Sequence, residues 1–367
     1  MPIKALICNL KMLTNLSEQG FRMPAEWEKQ DSIWVVWPYN KNDWPGHFKS
    51  IPYTVAKIIG IISQYQKVNL IIKLNEKKIE IKKILKKYLA KTSNIEFYNI
   101  SSDRIWIRDS GPIFLINKKS KKKIFLNFKF NGWSKYNNYL RDNKINDSIS
   151  KKIDVKKIDV KVKFKKVYKP IVLEGGAIDV NGKGSILLTE ECLLSKTQQR
   201  NKGFKKKHYE KYLSKLLNVK NFIWLKKGIE GDDTHGHIDD ISRFVSENTI
   251  MTAVENDKSE KNFQILNNNL EILKKTKDKN KKRFRIIKIP MPKPIFINKT
   301  KVPASYLNFL ITNKIVLVPI FEDKNDIKVI QIFKKNFKKR KIIGINCKKL
   351  IWGFGAIHCM TLQEPSI

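Results

Sequence analysis

Two short segments carry the residue types that acid–base and nucleophilic chemistry need. Asp233-Thr-His-Gly-His-Ile-Asp239 sets two imidazoles between carboxylates. Read as an extended stretch, it puts His235, His237 and Asp239 on one face. That set admits a metal, but no cysteine or third histidine stands at a matching spacing. A base paired with a carboxylate, His237 with Asp239, is the better reading, and no metal is expected. Gly353-Phe-Gly-Ala-Ile-His-Cys359 ends in a thiol beside an imidazole, after glycines that permit close backbone approach. A thiol becomes a nucleophile only with a base nearby or a depressed pKa. Taken alone, Cys359 reads as a buried structural cysteine; beside His237 and several carboxylates it becomes a candidate nucleophile. Cys192 lies next to Glu190 and Glu191, which disfavour a thiolate, and Cys8 and Cys347 lack recognisable partners. Trp106-Ile-Arg-Asp-Ser-Gly-Pro112 adds an indole near Asp109. Its face suits a guanidinium or an alkyl chain, and ordinary core packing suits it as well.

The elements that must position these groups recur with a period. Hairpins are expected over Pro112 to Phe130, Ala177 to Glu190, Ser242 to Val254 and Asn308 to Pro319. Asn181-Gly182 supplies one of the turns. The hairpin starts are separated by 65, 65 and 66 residues. Each is followed by a helix candidate and another strand: Asn138 to Ile149 then Ile158 to Phe164, His208 to Leu217 then Phe222 to Leu225, Lys261 to Lys274 then Phe284 to Ile289, and Ile327 to Phe337 then Lys341 to Ile345. A divergent fifth unit uses Ile33 to Trp37, a helix near Val55 to Ser63, and Val68 to Leu74, with the segment around Cys359 completing the ring. Such a period predicts one pseudosymmetric α/β domain over residues 1–367, built of strand-strand-helix-strand units. Three residues before each hairpin start stand Asp109, Glu174, Asp239 and Ser305. Equivalent positions in a ring project toward one axis. Three carboxylates there need cationic partners, for which Arg104, Arg108 and Arg243 are available, or else they form a pocket for a cation; the equivalence of their positions favours the pocket.

Composition narrows the function classes. The 367 residues carry 74 Lys+Arg against 34 Asp+Glu, a net charge of +40. Only nine of the basic residues are Arg, and the lysines are spread evenly with abundant Ile and Asn. Nucleic-acid readers favour Arg for bidentate contacts and stacking. A/T-rich codons account for the Lys, Ile and Asn excess, so no specific nucleic-acid partner is expected. No run of about 18 apolar residues marks a membrane span. The four cysteines have no CxxC spacing and read as free thiols. A cytoplasmic location is the resulting expectation.

The motifs together resemble the agmatine deiminases of the Porphyromonas-type peptidylarginine deiminase group, in the guanidine-modifying superfamily. The matching segments are Met23-Pro-Ala-Glu-Trp-Glu28, Trp34-Val-Val-Trp-Pro38, Trp106 to Pro112, Glu174-Gly-Gly176, Thr189-Glu-Glu-Cys-Leu-Leu194, Asp233 to Asp239, Ala304-Ser-Tyr-Leu-Asn308 and Ile357-His-Cys359. The resemblance implies a five-bladed α/β propeller of ββαβ units. It implies Cys359 as nucleophile, His237 as general acid/base, Asp109 and Asp239 as the guanidinium clamp, and Glu174 as a third acidic pocket residue, with Trp106 beside the substrate. It implies hydrolysis of agmatine to N-carbamoylputrescine and ammonia through an amidino-cysteine intermediate, without metal or organic cofactor, in putrescine and polyamine biosynthesis. The sequence departs from the family pattern in its sparser glycines before Ile357 and in Ser102-Asp103 where Asn-Asp is common.

The competing readings are deimination of free or peptidyl arginine, amidino transfer to an amine, and a basic polyanion-binding protein with an inactive site. The intact Asp109, His237, Asp239 and Cys359 set argues against the last. Homo-oligomerisation is left open by the sequence.

Overall fold

Short runs rich in Ile, Val, Leu and Phe, broken by polar turns, build hairpins whose strands are buried on nearly every residue. In the computed structural model, which describes residues 15–73, 77–164 and 167–367, all four expected hairpins form. Ile113–Asn117 pairs antiparallel with Lys122–Asn127, and Asp179–Val180 with Ser185–Thr189. Ser242–Ser246 pairs with Thr249–Val254, and Leu310–Ile311 with Ile315–Ile320. The second strand of each is central in its sheet. After a helix, a third strand runs parallel to it: Lys156–Asp159, Asn221–Leu225, Arg285–Pro290 and Lys341–Asn346. The intervening helices are Ile145–Ser150, Lys206–Leu217, Lys261–Lys275 and Asp326–Asn336. The fold is thus mixed α/β, in small separate sheets that do not join into a closed barrel.

Two expectations need revision. The alternating run Ile158 to Phe164 is not one strand. It divides at Val160, so that Lys156–Asp159 joins its own sheet while Lys161–Phe164 pairs antiparallel with Val167–Pro170. Period-two alternation carries no information about where a strand changes partner. The fifth unit is also larger than expected. Gln30–Val36 is followed by the helix Ile51–Ser63 and the parallel strand Lys67–Ile72, then by a second helix, Lys78–Lys87, and a further parallel strand, Ile95–Asn99.

The C-terminal segment completes this last sheet. Thr361–Pro365 runs antiparallel to Gln30–Val36, with Val35 opposite Thr361. Glu364 fastens the pair: its Oε2 accepts from Ser32 Oγ at 3.1 Å and Trp34 Nε1 at 3.0 Å, and its Oε1 from Lys123 Nζ at 2.6 Å. Among the described residues no helix is long and apolar enough to cross a membrane. Cys192, Cys347 and Cys359 are free and buried, and Cys8 lies outside the described residues.

Beneath the sheets lies a buried polar cluster centred on Arg243. Its guanidinium donates to Glu26 Oε2, to Asp179 Oδ2 and, at 3.0 Å, to the Phe309 carbonyl. One fully buried side chain therefore ties segments near residues 26, 179 and 309 together. Burial opposes the Glu26 charge, but Arg243 and His358 outweigh it and hold the carboxyl well below its usual range. Removing the cation leaves two buried carboxylates uncompensated, which costs about 3–5 kcal/mol. Arg243→Leu is therefore expected to lower the unfolding free energy by about that amount in urea titration. A loss below about 1 kcal/mol would show that Glu26 and Asp179 do not depend on Arg243.

Candidate active site

Asp109 ends a single helical turn, Ile107–Ser110, whose start is set by Trp106. The carboxylate is nearly fully buried. Its Oδ1 accepts from the Gly176 amide and its Oδ2 from Trp133 Nε1, both at 2.9 Å. Gly176 is needed for closeness: a β-carbon there would lie 2.6 Å from His237 Nδ1 and 2.8 Å from Asp109 Oδ1.

The segment from Asp233 to Asp239 is not extended, so the expected alternation of faces fails. Asp232 organises it, accepting the amides of Thr234 at 2.8 Å, Gly236 at 2.8 Å and His237 at 2.9 Å. The chain turns through His235 at φ +68° and Gly236 at φ +94°, then enters a 3-10 turn, Ile238–Asp240. Short polar loops of this kind are governed by side chain-to-backbone bonds, which sequence period cannot reveal. His235 is turned away, with Nε2 3.1 Å from Ser195 Oγ. His237 and Asp239 are both turned inward and fully buried. His237 Nδ1 lies 3.8 Å from Asp109 Oδ1 and 4.0 Å from Asp239 Oδ1.

Cys359 reaches the same place from the other end of the sequence. Asn308 is its frame: Oδ1 accepts the amides of His358 at 2.9 Å and Cys359 at 3.2 Å, and Nδ2 donates to Sγ at 3.0 Å. Arg108 adds a second hold, its amide donating to the Cys359 carbonyl at 3.1 Å. Sγ lies 3.9 Å from Asp239 Oδ2. That oxygen is also 2.7 Å from His358 Nδ1, whose Nε2 is 2.8 Å from Glu26.

The expected carboxylates therefore converge on His237, but they are not equivalent. Glu174 has a cation: Arg200 Nε donates to its Oε1 at 2.9 Å, and both side chains are fully buried. The expected partners Arg104, Arg108 and Arg243 form no ion pair with Asp109 or Asp239 within 4 Å. The fourth repeat position, Ser305, donates its hydroxyl to the Asp240 carbonyl at 2.6 Å and serves the backbone. Trp106 packs its ring 5.7 Å from that of Trp44, and a β-carbon at Gly355 would lie 2.6 Å from it. The indole that touches Asp109 is Trp133, in an irregular loop with φ +57°. No repeat or motif marks it; its strained backbone is the one feature that sets it apart.

Electrostatics follow the geometry. Burial raises Asp109 to about 6; Asp239 and Glu174 push the same way, against His237 and the Trp133 hydrogen bond. Burial opposes the Asp239 charge, but His358, His237 and Arg243 hold this carboxyl below its usual range. His237 is disfavoured as a cation by burial, yet Asp109, Cys192 and Asp239 carry it well above the ordinary histidine value. Burial raises the Cys359 thiol well above its usual value, with Asp239, Asp240 and Asp109 adding to the effect. The resting arrangement is a protonated imidazole, a protonated thiol and buried carboxylate oxygens with unused lone pairs. Asp239 Oδ1 and both His237 nitrogens have no hydrogen-bond partner.

A family profile described as Porphyromonas-type peptidyl-arginine deiminase matches residues 22–365. A Marinomonas sp. (strain MWYL1) protein named "Putative agmatine deiminase" is 31% identical, covering 94% of this chain and 95% of its own. Among solved structures, the agmatine deiminase of Enterococcus faecalis superposes with TM-score 0.86 at 28% identity, over 98% of this chain and 99% of that one. A cysteine-to-serine variant of C. jejuni agmatine deiminase with substrate bound gives TM-score 0.82 at 29% identity, over 94% and 96%. The match to the profile over nearly the whole length places the chain in the Porphyromonas-type peptidyl-arginine deiminase family.

Proposed function

We propose that the chain hydrolyses agmatine to N-carbamoylputrescine and ammonia, a step toward putrescine and other polyamines. The observation that carries this reading is the gathering of Cys359 Sγ, His237 Nδ1 and the buried oxygens of Asp109 and Asp239. An unpaired buried carboxylate oxygen is costly. A planar, cationic guanidinium supplies both the missing charge and the missing N–H donors. The likeness to two solved agmatine deiminases, one of them with substrate bound, supports the same substrate class.

In the proposed mechanism, guanidinium entry lowers the Cys359 pKa, because a cation beside a thiol favours its thiolate. The thiol proton leaves to solvent. The thiolate attacks the guanidinium carbon, and protonated His237 gives its proton to the departing nitrogen, which leaves as ammonia. The amidino-cysteine that remains is attacked by water, whose proton His237 takes. As the C–S bond breaks, the adduct's hydroxyl proton passes to the departing sulfur, which restores the Cys359 thiol and releases the urea-type product. No step of this sequence calls for a metal or organic cofactor. We also propose that the repeated sheets stand as five blades about one axis in a single catalytic domain, since Asp109 and Asp239 meet although two repeats separate them. Free thiols fit a reducing, cytoplasmic setting.

The acidic group proposed to read the far ammonium is Asp233. Trp133, bonded to Asp109, has its ring 5.9 Å from that of Tyr136, and Tyr136 donates its hydroxyl to Asp233 Oδ2 at 2.7 Å. Two aromatic rings thus stand between clamp and carboxylate. The neighbouring cation Arg104 is engaged by Asp43 at 3.2 Å. The adjacent Asp232 is occupied by backbone amides.

Agmatine is expected to exceed L-arginine in kcat/KM by at least ~10-fold, about 1.4 kcal/mol, with Asp233→Asn narrowing the ratio and Cys359→Ser abolishing turnover of both. Ureido-product formation on the two substrates measures this. A preference for arginine would keep the deimination and refute the substrate; turnover by Cys359→Ser would refute the mechanism.

A second expectation concerns pH. Below about 6 Asp109 is protonated and no longer an anion for the substrate, so kcat/KM should fall as pH drops through that value. Trp133→Phe removes a donor that stabilises the anion. A hydrogen bond to a charged group is worth about 1.5–3 kcal/mol, so the acid limb should move up by about 1–2 pH units. An unmoved limb would show that Asp109 does not set it.

A further inference from the structure

Three buried side chains of unlike chemistry meet at His237. Glu174, Cys192 and His237 each bring one donor atom within 4.8 Å of the other two. They come from three separate segments: the turn before Gly175, the short helix Glu190–Leu194, and the Asp232-organised loop. Spacing along the sequence cannot reveal such a set, which is why the histidine segment alone pointed away from a metal. We propose that Glu174, Cys192 and His237 form an inhibitory site for a divalent transition metal of the zinc type, distinct from the Cys359 thiol.

Four observations support it. Glu174 Oε2 and both ring nitrogens of His237 are buried and have no hydrogen-bond partner, so a metal has to displace only the imidazole and thiol protons to reach its donor atoms. Arg200 holds only the other Glu174 oxygen, at 2.9 Å, and fixes the carboxylate as an outer-shell group does around a metal. Thiolate, imidazole and carboxylate are the ordinary zinc ligands, with bonds of about 2.0–2.3 Å; tetrahedral ligand atoms then stand roughly 3.3–3.8 Å apart. A contraction of about 1 Å or a little more from the 4.8 Å limit suffices. Charge also balances: the Cys192 thiolate, Glu174 and Asp109, whose Oδ1 is 3.8 Å from His237 Nδ1, offset a dication together with Arg200, as a buried site requires.

The functional effect rests on the role proposed for His237. A metal on that imidazole removes its proton-transfer capacity, so loading the site stops turnover without touching Cys359. The product, ammonia and a ureido amine, plays no part in it.

The test uses the full chain and two readouts. Activity is titrated with chelator-buffered Zn2+ in wild type and Cys192→Ser. Inhibition of wild type is expected, with Cys192→Ser at least ~10-fold less sensitive, as loss of a metal partner typically costs 10–100-fold. Separately, Co2+ is added to Cys359→Ser, which retains Cys192. A thiolate-to-cobalt charge-transfer band is expected there, and its loss in the Cys192→Ser/Cys359→Ser double variant. The cobalt spectrum needs no activity, so it stands if the proposed reaction fails, and it decides the matter if Cys192→Ser does not fold. Unchanged zinc sensitivity in folded Cys192→Ser, or no band in Cys359→Ser, would overturn the proposal and leave Cys359 as the metal's ligand, or no ligand at all.

Discussion

Buried negative charge with imidazoles beside it but no paired arginine or lysine is the constraint around which this molecule is organised. Asp109 and Asp239 lie in the interior, where an unpaired carboxylate is expensive. The protein does not relieve them with the arginines at hand. Arg200 takes Glu174, and Arg243 takes Glu26 and Asp179, one shell further out. What reaches Asp109 and Asp239 instead is a set of weaker groups: an indole N–H, one backbone amide, an asparagine amide and two imidazoles. Such partners hold the carboxylates in place while leaving their charge available for an incoming cation. Sites of this kind store instability that the surrounding core must offset.

The same constraint sets the state of the thiol. Three carboxylates crowd Cys359, and they disfavour a thiolate until another charge arrives. A resting neutral sulfur is a poor nucleophile toward stray electrophiles. In the proposed reaction, reactivity is thus conditional on a cation, and selectivity for cations and activation of the sulfur become one property of the site.

The sequence disclosed the scaffold better than the site. Hairpins at a constant period of about 65 residues mark where Asp109, Glu174 and Asp239 stand, because hydrophobic runs and turns follow local rules. The motifs named Cys359 and His237. The groups that tune them were hidden, each for a physical reason. Trp133 sits in a loop without period. Asn308 and Glu26 act on residues about 50 and 330 positions away, contacts that no local pattern encodes. Arg200 was invisible because a lone arginine says nothing of its partner. The division of the run around Val160 was missed because alternation marks a strand and not its neighbour.

Thr361–Pro365 follows Cys359 almost at once and lies against Gln30–Val36, a pairing that spans over 320 residues. During synthesis, then, Gln30–Val36 emerges with one edge open and stays so until Thr361–Pro365 has been made. That edge is Gln-Asp-Ser-Ile-Trp-Val-Val, a segment apolar enough to recruit another strand. Contacts of such sequence separation form late. That edge therefore remains adhesive until Thr361–Pro365 arrives, and the same annealing event masks it and seats the Cys359 sulfur. A chain that fails at this step would be lost to aggregation rather than survive as an inactive fold.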